Sequence, residues 1–120
     1  MKYQTTDLEG ENLDEAVALA LGWRPIGGHW WEPGTVEKDG GLVRQDGKGS
    51  SCMRRVEMYS IEWEHGGPII ESERIVLHLS GDGWCAMVGG EYGPLAEGST
   101  ALIAAMRAFV VARLGDEVDL

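Results

Sequence analysis

Apolar side chains recur at helical spacing near the start of the chain and predict a first helix over about residues 13–21. Asn12 and Glu15 resemble a capping box, in which two polar side chains satisfy free backbone N–H groups at the start of a helix. Gly22 follows the last apolar position and is typical of the residue that ends a helix. We therefore expect a short amphipathic helix near the N-terminus.

A second, longer apolar stripe predicts a helix over about residues 101–114. Thr100 stands at its N-cap position, and Gly115 supplies a stop signal at its other end. The acidic tail, residues 116–120, follows that stop. We expect this tail to fray, because negative charge at the C-terminal end of a helix opposes the helix dipole.

Between these helices, alternating apolar and polar residues predict β-strands. The clearest is a β-hairpin over about 75–88, with turn residues at 80–83 and a second strand that ends at Gly89-Gly90. We also expect an aromatic-rich strand or hairpin edge within 23–33 and a less regular strand within 53–59.

The 120 residues predict one domain, residues 1–120, large enough to form a core without disulfides or metal. Its fold class is α+β, with a small antiparallel sheet packed against two helices that cover one face. Glycine, serine and charged residues near 34–51 indicate a variable insertion, which is either a mobile loop or a long exposed hairpin. We expect Cys52 and Cys85 to be reduced thiols, with Cys85 in the core.

The net charge of −10 disfavours direct binding of nucleic acid, which needs concentrated Lys and Arg. A basic protein partner, or imitation of nucleic acid by an acidic surface, remains open, and solubility alone is the simpler explanation. No apolar run is long enough to cross a membrane, and the N-terminus lacks the apolar core of a signal peptide. We therefore expect a cytoplasmic protein.

Residues 59–71 combine aromatic rings, adjacent glycines, a proline and carboxylates, and we interpret them as a non-helical recognition loop. Gly66-Gly67 would adopt positive φ and bring the backbone close to a ligand, and Pro68 would fix the exit angle. Trp63 and Tyr59 would supply flat apolar faces. The alternative is a tight turn that leads into a buried strand.

Carboxylates recur within residues 62–73, and His65 lies among them. In so acidic a chain this spacing is expected on a solvated face, so we predict no catalytic residues and no enzyme activity. A small hydrolase that uses Glu71 or Glu73 with His65 is the least favoured alternative. The His and Cys residues match no standard metal spacing, and we predict neither a metal site nor a cofactor.

Several colinear segments resemble the NinX-like family of small phage and prophage proteins of unknown function. The resemblance leaves residues 24–57 largely uncovered, and it implies a phage-encoded accessory protein in the bacterial cytoplasm, with no established activity. It is carried by Leu8-Glu9-Gly10, Leu13-Asp14 and Ala16-Val17-Ala18, by Tyr59-Ser60, Trp63 and Gly66-Gly67-Pro68-Ile69-Ile70-Glu71, by Trp84 and Ala86, and by Leu102-Ile103-Ala104-Ala105-Met106-Arg107-Ala108 with Leu114-Gly115-Asp116-Glu117-Val118.

The first functional hypothesis is a non-enzymatic protein that counters a host defence or regulatory system by sequestering a small, nucleotide-like ligand. The second is an acidic inhibitor or nucleic-acid mimic that occludes a basic host protein. A homodimer would be unsurprising for a small sheet with exposed aromatic residues. The expected ligand-binding residues are Tyr59, Ser60, Trp63, Gly66, Gly67, Pro68, Glu71 and Trp84, with Arg54 and Arg74 as counter-charges for a phosphate.

Overall fold

Helices and short antiparallel strands alternate along the chain, which confirms the predicted α+β class. A computed structural model describes residues 1–89 and 93–120. The helices are α1 (Gly10–Leu21), α2 (Trp63–Ser72) and α3 (Ala101–Leu114), and a 3-10 turn covers Thr5–Asp7. The strands are β1 (Lys2–Gln4), β2 (Arg24–Ile26), β3 (His29–Trp31), β4 (Thr35–Lys38), β5 (Gly41–Arg44), β6 (Cys52–Met53), β7 (Val76–Ser80), β8 (Gly83–Met87), β9 (Leu95–Gly98) and β10 (Glu117–Asp119).

The strands of the described residues form four small antiparallel sheets, ordered β1-β10, β2-β3-β6, β4-β5 and β7-β8-β9. The β7-β8 hairpin confirms the pair predicted over 75–88, and β2-β3 confirms the aromatic hairpin within 23–33. The glycine-rich segment takes the form of a hairpin, β4-β5, rather than an unstructured loop. β8 ends at Met87, before Gly89, and the predicted stop at Gly90 lies outside the described residues.

Helix α3 occupies the centre of the core. Phe109, Met106 and Val110 on this helix are fully buried, and the helix packs against β8 and β9. Helix α1 in turn packs against α3, so α3 lies between α1 and the three-stranded sheet. Cys85, on β8, is buried as predicted, and both cysteines are free thiols. None of the described helices is long and apolar enough to cross a membrane.

The start of α1 differs from the sequence prediction. The helix begins at Gly10, its N-cap is Glu9, and no side chain caps it, so the capping box at Asn12 and Glu15 was wrong. The chain turns into the helix at Gly10, whose φ of 57° is left-handed, and the helix therefore starts two residues before Asn12. The predicted end is confirmed: Gly22 has φ of 103° and donates its N–H to carbonyl groups of the last turn.

Helix α3 begins as predicted, because Thr100 Oγ1 accepts a hydrogen bond of 3.1 Å from Ile103 N–H. The prediction that the acidic tail frays was wrong. The tail forms β10, which pairs with β1 and places Val118 in the core. Thr5 Oγ1 also donates a hydrogen bond of 2.7 Å to Gly115 O. Strand pairing and apolar burial outweigh the unfavourable charge near the helix end.

Residues 59–71 are not a recognition loop, because most of them belong to helix α2. Gly66 and Gly67 are helical and do not have positive φ. Pro68 lies on the exposed side of the helix, where solvent can satisfy the backbone carbonyl that loses its N–H partner. The strand predicted within 53–59 was also wrong, since β6 ends at Met53 and the following residues form turns.

Candidate functional site

An open groove of about 700 Å³ lies at one end of the β7-β8-β9 sheet. It lies beside the free edge of β9, between the 3-10 turn, the β7-β8 turn and helix α3. Its lining residues are Thr6, Asp7, Ser80, Asp82, Gly83, Trp84, Leu95, Ala96, Glu97, Gly98, Ser99 and Arg107.

Two glycines shape the floor of this groove. A Cβ atom at Gly98 would lie 2.6 Å from the backbone nitrogen of Ala104, and one at Gly83 would lie 2.7 Å from Gly98 O. Both positions are therefore closed to larger residues, because the strands approach each other and α3 at backbone distance. Gly98 pairs directly with Trp84 across the sheet. The indole of Trp84 consequently has no side chain opposite it at that position and stays half-buried beside the groove.

Arg107 supplies the positive charge of the groove. Its Nε donates a hydrogen bond of 2.8 Å to Leu8 O, and its Nη1 donates one of 2.9 Å to Glu97 O. Within the described residues, no carboxylate forms a salt bridge with this guanidinium. A guanidinium has five N–H donors in fixed directions. Arg107 is therefore held in place by two neutral carbonyls, and three of its donors remain for other acceptors.

The other polar side chains of the groove can all accept hydrogen bonds, and the hydroxyl groups among them can also donate. Asp7, Asp82 and Glu97 contribute carboxylates, and Thr6, Ser80 and Ser99 contribute hydroxyl groups. Carboxylates recognise hydroxyl and amino groups of a ligand by accepting hydrogen bonds, as acidic residues do with ribose in dinucleotide-binding folds. The groove thus combines an aromatic ring, a fixed cation and several acceptors.

Among the predicted ligand-binding residues, Trp84 alone lines this groove. Trp63 and Ser60 lie elsewhere, on a smaller cavity of about 240 Å³ at the N-terminus of α3. Glu71 is exposed on α2, and Arg74 follows that helix with φ of 54°. Arg54 is exposed after β6. The structure therefore brings together Ser60 and Trp63 but separates them from Trp84.

Tyr59 and Gly66 are buried packing residues in the structure. Burial raises the pKa of Tyr59 to about 12, with a further contribution from the carboxylates of Glu57 and Asp14. A Cβ atom at Gly66 would lie 2.4 Å from Tyr59 O and 2.7 Å from Leu102 Cδ2. Gly66 is thus required for close contact between α2 and its neighbours, not for the approach of a ligand.

Asp14, on helix α1, connects that helix to Ser60 through a hydrogen bond. Its Oδ1 accepts a hydrogen bond of 2.8 Å from Ser60 N–H, and both residues are buried. Burial raises the pKa of Asp14, and the amide and hydroxyl of Ser60 offset part of that effect. Among the described residues, the Ser60 hydroxyl forms no hydrogen bond with good geometry. It nevertheless lies close to the Asp14 carboxylate and helps to lower the pKa of Asp14.

Sequence reasoning did not predict Arg107 as a site residue. Its only signal was a lone cation within the apolar stretch of α3, between Met106 and Phe109. A charged residue among buried apolar ones needs polar partners, which in this protein are the carbonyls of Leu8 and Glu97. Those partners are distant in sequence and could not be read from the helix alone.

At the start of α2, three side chains that can act as metal ligands lie close together. Ligand atoms of Glu62, Glu64 and His65 lie within 4.8 Å of one another, and His65 Nε2 lies 3.1 Å from Glu57 Oε2. From the sequence, we noted these carboxylates and His65 but interpreted them as a solvated face and predicted no metal site. Carboxylates at the first turn of a helix are also favoured by the helix dipole, which accounts for their presence without an ion.

Comparison with protein families assigns the chain to a phage family. The family model described as Bacteriophage P22, NinX matches residues 4–113. This range includes the groove, helices α1 and α2, and all of helix α3 except its last residue, Leu114. Comparison with curated proteins finds no match. The match covers most of the chain and confirms the resemblance seen in the sequence, so this protein belongs to the phage P22 NinX family.

Proposed function

We propose that this protein is a phage-encoded binding protein that captures a small, planar, nucleotide-like ligand in the groove between Trp84 and Arg107, without turning it over. The observation that carries the proposal is the groove itself, a space of about 700 Å³ lined by Trp84, which also packs against the core, and by the anchored Arg107. Ligand pockets typically have volumes of about 300–1,000 Å³ and a few convergent polar groups.

The charge of the groove restricts the ligand. Arg107 can neutralise one anionic group, such as a single phosphate, through its three remaining donors. Three carboxylates lie on the same groove, and the chain has a net charge of −10. A triphosphate would meet strong repulsion, because Arg107 is the one cation among the described lining residues of the groove and would have to offset several negative charges. A nucleoside or a nucleoside monophosphate fits these groups best.

Each part of such a ligand has a candidate partner. The base would stack on Trp84, the phosphate would contact Arg107, and the sugar hydroxyls would donate to the carboxylates. Stoichiometric capture of a signal needs only these binding contacts. In a phage protein, this activity would withdraw a nucleotide signal from a host defence or regulatory system.

A calorimetric titration tests the proposal. Adenosine and guanosine monophosphates, the parent nucleosides and the triphosphates are titrated into the wild-type protein and into two tryptophan variants. Trp84→Ala removes the ring in the groove, and Trp63→Ala is the matched control because Trp63 is exposed on a different cavity.

Stacking of a base on an aromatic ring contributes about 1–3 kcal/mol, so Trp84→Ala should weaken binding by about 5- to 150-fold. Trp63→Ala should bind as the wild type does, and triphosphates should bind more weakly than monophosphates. Failure of every nucleoside and monophosphate to bind, or equal loss in the two variants, would refute the proposal.

A further inference from the structure

A second surface, formed by residues 58–63 and separate from the groove, exposes large apolar side chains. Met58, Ile61 and Trp63 are 50%, 65% and 57% exposed, although they lie within six consecutive residues. We call this surface the 58–63 patch. Single exposed apolar residues are common on soluble proteins, whereas contiguous apolar patches are typical of interaction surfaces.

The patch is flanked by two cavities that share one residue. Ile61 lines the cavity of about 240 Å³ with Trp63 and the first turn of α3. It also lines a cavity of about 190 Å³ with Met58, Val56 and residues of α1. Ile61 therefore forms a ridge between two recesses, each large enough for an apolar side chain of a partner.

The patch is held rigidly by its neighbours. Tyr59 and Ser60, which lie between the exposed residues, are buried. Met58 O accepts hydrogen bonds from Ile61 N–H at 3.2 Å and from Glu62 N–H at 2.9 Å, which closes a turn. Ser60 N–H is bonded to Asp14, as described above. The exposed side chains are thus displayed by an ordered backbone, which reduces the entropy lost on binding.

Carboxylates surround the patch. Glu11 lines the smaller cavity beside the buried Asp14, and Glu57, Glu62 and Glu64 adjoin the exposed side chains along the chain. The nearby cations are Arg54 and Arg55, and Arg55 lines the smaller cavity. Acidic groups therefore outnumber basic ones around an apolar centre. A partner that matches this surface would bring apolar side chains flanked by Lys or Arg.

We infer that the 58–63 patch docks a basic segment of another protein, with two apolar side chains seated on either side of Ile61. The apolar centre would provide the affinity, and the acidic rim would select the partner and speed association. This inference does not depend on the groove at Trp84, because none of the groove residues lies in the patch.

The test uses two synthetic peptides with the same length and the same pattern of leucine and phenylalanine. One carries Lys at its polar positions and the other carries Glu. Binding to wild-type protein, Ile61→Ser and Leu79→Ser is followed by the NMR chemical shift of the Met58 methyl group, and also by those of the Ile61 methyl groups where Ile61 is present. Leu79 is the matched control, because it is 72% exposed on β7 and lies outside both cavities.

The Lys peptide should shift the Met58 and Ile61 signals and bind about tenfold or more tightly than the Glu peptide, with a difference that shrinks as salt is added. Ile61→Ser should weaken binding by about tenfold, and Leu79→Ser should leave it unchanged. The inference fails if the two peptides bind equally, if Ile61→Ser has no effect, or if the patch signals shift with protein concentration alone, which would show that a second copy covers it.

Discussion

Substitution of Gly66 tests whether this glycine is needed for the packing of helix α2 against Tyr59 and Leu102. If residues 59–71 were a loop with two positive-φ glycines, alanine at Gly66 and at Gly67 would be destabilising to a similar extent. In the helix, the two positions differ. A Cβ atom at Gly66 would lie 2.4 Å from Tyr59 O, whereas one at Gly67 would meet only Trp63 Cε3 at 3.8 Å.

The expected magnitudes follow from these distances. Overpacking in a buried site costs about 1–3 kcal/mol, and the upper part of that range applies because a backbone oxygen must move. The higher helix propensity of alanine offsets about 1 kcal/mol. Gly66→Ala should therefore lower the free energy of unfolding by about 2 kcal/mol. For a domain of this size that corresponds to a fall in Tm of about 8 °C.

Gly67→Ala is the matched control. It also gains about 1 kcal/mol of helix propensity, but it places a Cβ next to the ring of Pro68, which disfavours helical backbone at the preceding residue. We expect the two effects to offset, leaving a change within about 0.5 kcal/mol. Both variants are compared by urea and thermal unfolding, followed by far-UV circular dichroism. Similar losses for Gly66→Ala and Gly67→Ala would refute the packing role of Gly66.

Three further predictions concern other parts of the fold. Thr100→Ala should remove the N-cap of α3 and lower the free energy of unfolding by about 1 kcal/mol in urea unfolding, whereas Thr100→Ser should retain the cap. Val118→Ala should cost about 2 kcal/mol because Val118 is 5% exposed in β10, while exposed Glu117→Ala should change stability by less than about 0.5 kcal/mol; equal small effects would show that the tail frays. The raised pKa of Asp14 means that the folded state binds its proton more tightly than the unfolded state, so this group's contribution to stability falls as pH rises above the unfolded value of 3.8. Asp14→Asn should therefore have a higher Tm than the wild type at pH 7 and lose that advantage below the unfolded pKa, and a lower Tm at pH 7 would contradict this reasoning.

Local sequence signals were sufficient to predict helix α3 and the β7-β8 hairpin, because these signals define where the two elements begin and end. Thr100 and Gly115 mark the ends of α3, and the turn residues at 80–83 set the β7-β8 hairpin. These signals act within a few residues of the element itself. For that reason the sequence could predict the last helix and the central hairpin.

Long-range contacts decided the elements that sequence reasoning missed. Adjacent glycines and a proline oppose a helix locally, yet α2 forms because Gly66 fits against Tyr59 and Leu102. The tail forms a strand because β1, at the opposite end of the chain, pairs with it. Neither contact has a signature within the segment that depends on it.

The groove was predictable only in part for the same reason. Trp84 was predicted as a ligand-binding residue because it is a tryptophan in a predicted strand and not on a helix. Arg107 could not be assigned, since its orientation depends on the carbonyls of Leu8 and Glu97. The groove is assembled from four separate stretches of chain, and the sequence does not show that they meet.

The most direct test of ligand capture is mass spectrometry of whatever the protein releases on denaturation. Wild-type protein, Trp84→Ala and Trp63→Ala are isolated from bacteria with an active nucleotide-signalling defence. The account predicts one intact nucleotide-class molecule per protein chain in the wild type and Trp63→Ala, and none in Trp84→Ala. An empty wild-type protein, a hydrolysed product, or an equal yield from Trp84→Ala would contradict it.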